Sequence, residues 1–285
     1  STDERAVAAG TAQGIRARLE AGIRAECLPP ARPAASAWRR APGRRSRWRG
    51  RERASAMTTL FSAEVTCVIC GSEQAVTVIG STNAVGPMDL DTWPPEMKRS
   101  TLHAWVHECE ECGYVAADLG DPAEARQTAP LWHAYLSELN RADRPRVANR
   151  FVCRSLFDEA AGEHAAAGWR RLHAAWACDD AEQADEARVQ RRAALECFER
   201  ARAAGQRAVK SMIGGDEMLL ADIARRAGEF AQAESYVAAG LAQAGVSSRI
   251  AGWLEFQRKL AAERDIGRHT VDEAYASGEV LRREH

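Results

Sequence analysis

The chain has 285 residues, enough for one or two domains, and 46% of them are apolar, so a sizeable core is available. No apolar run approaches the roughly 18–20 residues needed to span a membrane, and eight cysteines in a chain of this length do not make a disulfide scaffold. The formal net charge of -1 hides an asymmetry: 13 of the 39 basic residues and 5 of the 40 acidic ones lie in residues 1–56, leaving residues 57–285 with 26 and 35, a net of -9.

Residues 1–56 are Arg-rich, begin with Ser and show no sustained apolar period. Tracts such as Trp38-Arg39-Arg40-Ala41-Pro42-Gly43-Arg44-Arg45 are what GC-rich upstream DNA encodes when it is translated in frame. We read this head as disordered and not native. Its Arg pairs are not followed by an apolar stretch, which argues against a secretory signal.

From Glu64 to Thr82 β-branched residues dominate, in Val65-Thr66-Cys67-Val68-Ile69-Cys70-Gly71 and again in Ala75-Val76-Thr77-Val78-Ile79, which predicts strands. A turn-rich stretch follows from Asn83 to Pro95, and a short helix is expected from about Pro95. Trp105 to Val115 then reads as a strand, a tight turn and a second strand. After Asp118 apolar positions recur at helical spacing. The spacing predicts helices near 127–140, 145–161, 163–178, 182–204, 216–227, 230–244 and 249–264, with a short one near 270–277. Short loops between them imply antiparallel pairs.

Part of the helical region follows the tetratricopeptide pattern. Trp169, Leu172, His173 and Trp176 match a first helix, with His where Gly is usual, and Ala194, Phe198 and Ala201 match a second. The link from Trp176 to Ala194 is about nine residues too long by that pattern, so an insertion is expected there. Its acidic stretch, Cys178 to Glu186 with Asp179, Asp180 and Glu182, reads as a solvated loop and helix cap. A second copy runs from Leu220-Ala221 through Gly228 to Ala233, Val237 and Gly240.

The chemistry resides in two C-x-x-C-G motifs, Cys67-Val68-Ile69-Cys70-Gly71 and Cys109-Glu110-Glu111-Cys112-Gly113. Two thiolates three positions apart on a tight turn can point at one ion, and the following Gly supplies the positive φ of such a turn. Two such turns facing each other complete a four-thiolate zinc site. The site is therefore assigned to Cys67, Cys70, Cys109 and Cys112, holding one structural Zn2+ per chain. Thiol redox chemistry would need a motif at a helix N-terminus, and neither motif precedes a predicted helix. His103 and His107 lie close enough in sequence to substitute for a cysteine, but read better as ordinary histidines. Cys27, Cys153, Cys178 and Cys197 are scattered, a usage that fits a reducing compartment, with cytoplasm as the default.

Cys67 to Leu119, including Gly86-Pro87-Met88-Asp89-Leu90-Asp91, Trp105-Val106 and Cys109…Cys112-Gly113-Tyr114, resembles the bacterial family catalogued as domain of unknown function 2225. The resemblance covers most of 57–245. It implies a zinc ribbon followed by tetratricopeptide-like helices, with the metal ligands falling on the same four cysteines. Proline is frequent inside such knuckles, whereas Val68 and Glu110 stand here. The family brings no established activity.

These readings give an α+β, mostly α fold: a zinc ribbon over 57–125 and a tetratricopeptide-like helical domain over 126–285. Asp89 and Asp91, between the knuckles, read as Asx turns and caps in preference to a second metal site or a seat for a basic group. Trp132, Trp169, Trp176 and Trp253 read as core. There is no Gly-rich phosphate loop, no G-x-S-x-G and no H-E-x-x-H, and no catalytic residue is assigned. A protein-interaction scaffold, with a protein or peptide in the helical groove, is favoured over an enzyme. The alternative is a nucleic-acid-binding zinc ribbon, which the acidic balance of 57–285 disfavours. A hydrolase or transferase built on Asp89 and Asp91 ranks third, for want of a nucleophile. Neither the partner nor the oligomeric state follows from the sequence.

Overall fold

The computed structural model describes residues 58–123, 125 and 132–278. The Arg-rich head and the side chain of Trp132 lie outside the described residues, as does the start of the helix expected from 127.

The β-branched runs form an antiparallel hairpin, β1 Thr59–Thr66 and β2 Glu73–Ser81, joined by the first C-x-x-C-G turn. Phe61 faces Val78, Ala63 faces Val76 and Val65 faces Gln74, so alternation puts these residues on one side of the hairpin. Val65 and Val76 pack against the hydrophobic core, while Phe61, further out, is 55% exposed. The expected helix after Pro95 is a single 3-10 element, Arg99–Ala104, which starts four residues later. A second small hairpin, β3 His107–Glu108 and β4 Val115–Ala116, flanks the second knuckle.

The helices follow: α1 Trp132–Leu139, α2 Arg146–Ala160, α3 His164–Asp180, α4 Ala184–Ala203, α5 Gly215–Ala227, α6 Phe230–Leu241, α7 Ser248–Ala262 and α8 Val271–Ala276. Several end alike. A residue in the left-handed region follows the last turn, and the next amide reaches back to close it, as in Gly162 with Glu163 N–H to the Asp158 carbonyl (2.8 Å) and Gly228 with Glu229 N–H to the Ala224 carbonyl (2.9 Å). Such tight exits reverse the chain, so each helix packs on its neighbour, and α5 also packs on α7. All 13 residues of α5 are buried. Residues Thr58–His285 form one compact unit, with a core that runs from the knuckles into the helices.

Two expectations need correction. The nine extra residues between Trp176 and Ala194 are not looped out: α3 and α4 are long, with 17 and 20 residues, and a turn of Ala181, Glu182 and Gln183 joins them. The stretch Cys178 to Glu186 is not a solvated loop either. Cys178, Asp179 and Asp180 finish α3, and Asp179 turns inward to bind Arg191 and Arg226. Two guanidiniums offset the cost of taking that carboxylate out of water.

Close approach between α3 and α4 depends on Gly168, one position before Trp169. A Cβ there would lie 2.6 Å from the Phe198 ring. Trp169 meets Phe198 edge-on at 5.7 Å, and Ala194 and Ala201 are buried beneath. His173, where Gly is usual, is a half-buried ring in contact with Trp105, Phe151 and Trp176. Burial lowers its pKa to about 3, so it stays neutral.

Candidate metal centre

Both knuckles are built by the same local rules. Gly71 and Gly113 take φ of +75° and +74°. Their amides donate to the Cys67 and Cys109 carbonyls, each at 2.8 Å. The amides of Cys67 and Cys109 in turn donate to the Ser72 and Tyr114 carbonyls at 2.8 and 2.7 Å. A residue with a Cβ would be strained at the two glycine positions, which is why the motif reads C-x-x-C-G.

The two turns face each other. Cys67 Sγ lies 3.8 Å from Cys112 Sγ, and Cys70 Sγ lies 3.6 Å from Cys109 Sγ. All four sulfurs fall within 4.8 Å of one another. A tetrahedron with metal–sulfur bonds of ~2.3 Å has edges of about 3.8 Å, so one ion fits at the centre. The spacing is far too long for a disulfide, near ~2.05 Å, and all four cysteines are free. Cys67, Cys109 and Cys112 are buried, so the site is closed to solvent on most sides. Hydrogen bonds from Cys112 and Cys67 lower the Cys109 pKa, whereas contact with Cys109 raises that of Cys67. Four sulfur ligands leave no open coordination position, so the arrangement suits structure and not catalysis.

Neighbouring residues that the motif does not reveal complete the centre. The Ser72 hydroxyl is 3.1 Å from Cys70 Sγ and 3.3 Å from Cys109 Sγ, placed to stabilise charge on both. Gln74 ties the halves together: its side-chain amide donates to the Glu108 carbonyl and accepts from the Glu110 amide, each at 2.9 Å. Tyr135 on α1 donates to the Gly113 carbonyl at 2.7 Å, docking the second knuckle on the helices. Ser72 is the one with a visible signal, since it follows the first motif directly.

The histidines stand apart from the cluster. His103 is exposed and bonded to the Ser100 carbonyl, and His107 is half-buried on β3. Burial, and then the Arg150 guanidinium, lowers the His107 pKa. Among the described residues the four cysteines are the one group arranged to hold a metal ion. Neither knuckle leads into a helix, as thiol redox use would require: β2 follows the first and β4 the second. Arg146 and Arg150 on α2 reach the second knuckle, but both pair there with Glu108.

Against known proteins, the chain matches no family model, no curated protein and no solved structure.

Asp89 and Asp91 are buried among basic groups. Asp89 binds Arg99 at 2.7 Å. Asp91 accepts the Trp93 amide at 3.2 Å, an Asx turn, and also the Trp176 indole N–H and Arg226 Nη1, both at 2.8 Å. The Asx-turn expectation thus holds for Asp91, but its second oxygen seats a cation.

Proposed function

We propose that this protein binds one zinc ion structurally through Cys67, Cys70, Cys109 and Cys112 and acts as a protein-interaction scaffold. The tetrahedral spacing of four buried or half-buried sulfurs supports the zinc reading, since thiolate ligands in a closed tetrahedral set suit zinc. The succession of paired helices behind the ribbon supports the scaffold, in keeping with the tetratricopeptide pattern and with the resemblance to domain of unknown function 2225. The free thiols suit a reducing compartment, and we place the protein in the cytoplasm. No helix among the described residues is long and apolar enough to cross a membrane.

The face of α3 and α5 carrying Trp176 and Arg226 is already covered by the chain's own Asp91. A partner peptide therefore engages another face of the array, which narrows the groove expectation.

Elemental analysis of the purified chain tests the metal, with one zinc per chain expected and a metal-free protein with intact thiols as the opposite result. Fluorescence anisotropy of single- and double-stranded probes across a salt series tests the nucleic-acid alternative. The chain starting at Met57 is suited to it, because Thr58–His285 is compact by itself. The scaffold reading expects weak binding at ~150 mM salt, since a net charge of -9 repels a polyanion. Submicromolar affinity with a steep salt slope would favour the nucleic-acid reading.

A further inference from the structure

The 38 residues between Cys70 and Cys109 form a strap whose two ends are metal ligands. From the knuckles the strap crosses the helices. Leu90 N–H donates to the His269 carbonyl at 2.9 Å, and Val271 N–H to the Met88 carbonyl at 3.0 Å, so its middle pairs with the segment entering α8. One residue after Leu90, Asp91 enters the core and is fully buried.

There it completes a balanced set of charges. Arg226 on α5 spans Asp91 and Asp179, at 2.8 and 2.7 Å. Arg191 on α4 grips Asp179 and stands 3.7 Å from Asp91. Two carboxylates face two guanidiniums. Both arginine side chains are at most 6% exposed, so water cannot replace a lost partner. Without Asp91, the two buried guanidiniums keep only Asp179 within ion-pair distance, with Asp222 and Asp89 further off, an arrangement that burial disfavours. Arg226 belongs to the helix with every residue buried, so the imbalance falls on α5.

We propose that Asp91 couples metal occupancy to the helical array: an ion at the four cysteines fixes both ends of the strap, the strap holds Asp91 on Arg226 and Arg191, and loss of the ion loosens α5 and the entry to α8. The inference rests on the metal reading above, and adds to it a regulatory consequence: the array is tight when the site is loaded and loose when it is stripped.

Hydrogen exchange of the full chain, read by mass spectrometry over Gly215–Ala227 and His269–Ala276, tests this. Zinc-loaded protein is compared with protein stripped by a chelator under reducing conditions, with metal content measured in every sample. Stripping should speed exchange in both segments by roughly tenfold or more. Asp91→Asn should retain one zinc, exchange fast in α5 even when loaded, and gain less than about twofold more on stripping. Trp176→Phe, which removes one donor to Asp91 and keeps an aromatic ring, should fall between the two. It serves if Asp91→Asn does not fold. Stripping that speeds only the β1–β2 hairpin would overturn the coupling while leaving the zinc site intact. So would an α5 in Asp91→Asn that responds to zinc as the native chain does, or an α5 in loaded Trp176→Phe indistinguishable from native. A chain that never holds metal overturns both this inference and the metal reading, and elemental analysis identifies that case.

Discussion

Trp93, from the strap between the knuckles, lies parallel to Trp176 on α3, with ring centroids 5.4 Å apart and planes within 1°. The Arg99 guanidinium sits over the Trp93 ring at 4.2 Å, and the Trp176 N–H is bonded to Asp91. This stack joins the ribbon to the array, and both indoles are buried. Trp176→Ala should cost about 3–5 kcal/mol, the usual loss for removing a buried large aromatic. Trp176→Phe should cost less, about 1–3 kcal/mol, because it keeps a ring on Trp93 and leaves Asp91 one donor short. Urea unfolding of both variants measures the difference. Equal losses would mean that the hydrogen bond to Asp91 carries the whole effect and the stack none.

Among the described residues the cysteines divide into the four of the candidate metal centre and three buried among the helices, Cys153, Cys178 and Cys197. Cys112→Ser should reduce bound zinc from one per chain to a small fraction and loosen both knuckles, since a Ser hydroxyl is a poor zinc ligand near neutral pH. Cys197→Ser should retain full zinc, because its thiol sits by Glu159 and Arg200 between helices, away from the cluster. Elemental analysis of the two variants side by side settles the assignment. Zinc loss in Cys197→Ser alone would refute it.

Helix packing can be tested at Gly168. Ala is favoured over Gly in a helix by about 1 kcal/mol, yet here its methyl would press into the Phe198 ring. Gly168→Ala should therefore destabilise, by a net of about 1–2 kcal/mol once overpacking is set against propensity. Gly168→Ala combined with Phe198→Leu should recover part of the loss. A thermal melt in which Gly168→Ala is more stable than native would show that α3 and α4 are less close than described.

What was legible in the sequence was local. The knuckles were readable because ligands and turn glycines sit within five residues, and the helices because apolar periodicity fixes a buried face regardless of the partner. Asp179 was misread because its setting, Asp-Asp followed by Glu, is polar in sequence. Its partners Arg191 and Arg226 lie 12 and 47 positions away. Asp91 is the same case at longer range, 85 residues from Trp176 and 135 from Arg226. No periodicity or spacing reports such a pair. The supposed insertion failed for a different reason: extra residues between repeat positions can extend two helices as readily as they can form a loop.

Asp89 gives a pH-dependent prediction whose sign differs from that of its neighbourhood. Burial, and then the charge of Asp91, raises its pKa from 3.8 to about 6, despite the Arg99 and Arg268 guanidiniums. Asp179 moves the other way: burial raises it, but Arg191 and Arg226 outweigh burial and hold it below the usual carboxylate range. For Asp89 the native state binds more protons than the unfolded state between pH ~4 and ~6, so its contribution to stability falls as pH rises through that window. For Asp179 the unfolded state binds more, so its contribution is present above the unfolded pKa and is lost on acidification. Asp89→Asn mimics the protonated carboxyl at every pH. Relative to native, it should gain stability between pH 4 and 7, by about 3 kcal/mol at most for a shift near two units. Denaturant unfolding of the pair at pH 4, 5, 6 and 7 reads that gain directly, since effects elsewhere in the chain cancel in the difference. A difference that stays constant across the series would show that Asp89 has the same pKa in the folded and the unfolded state, with Arg99 and burial cancelling. A difference that moves against the variant as pH rises would place the Asp89 pKa below its unfolded value, with the ion pair to Arg99 outweighing burial.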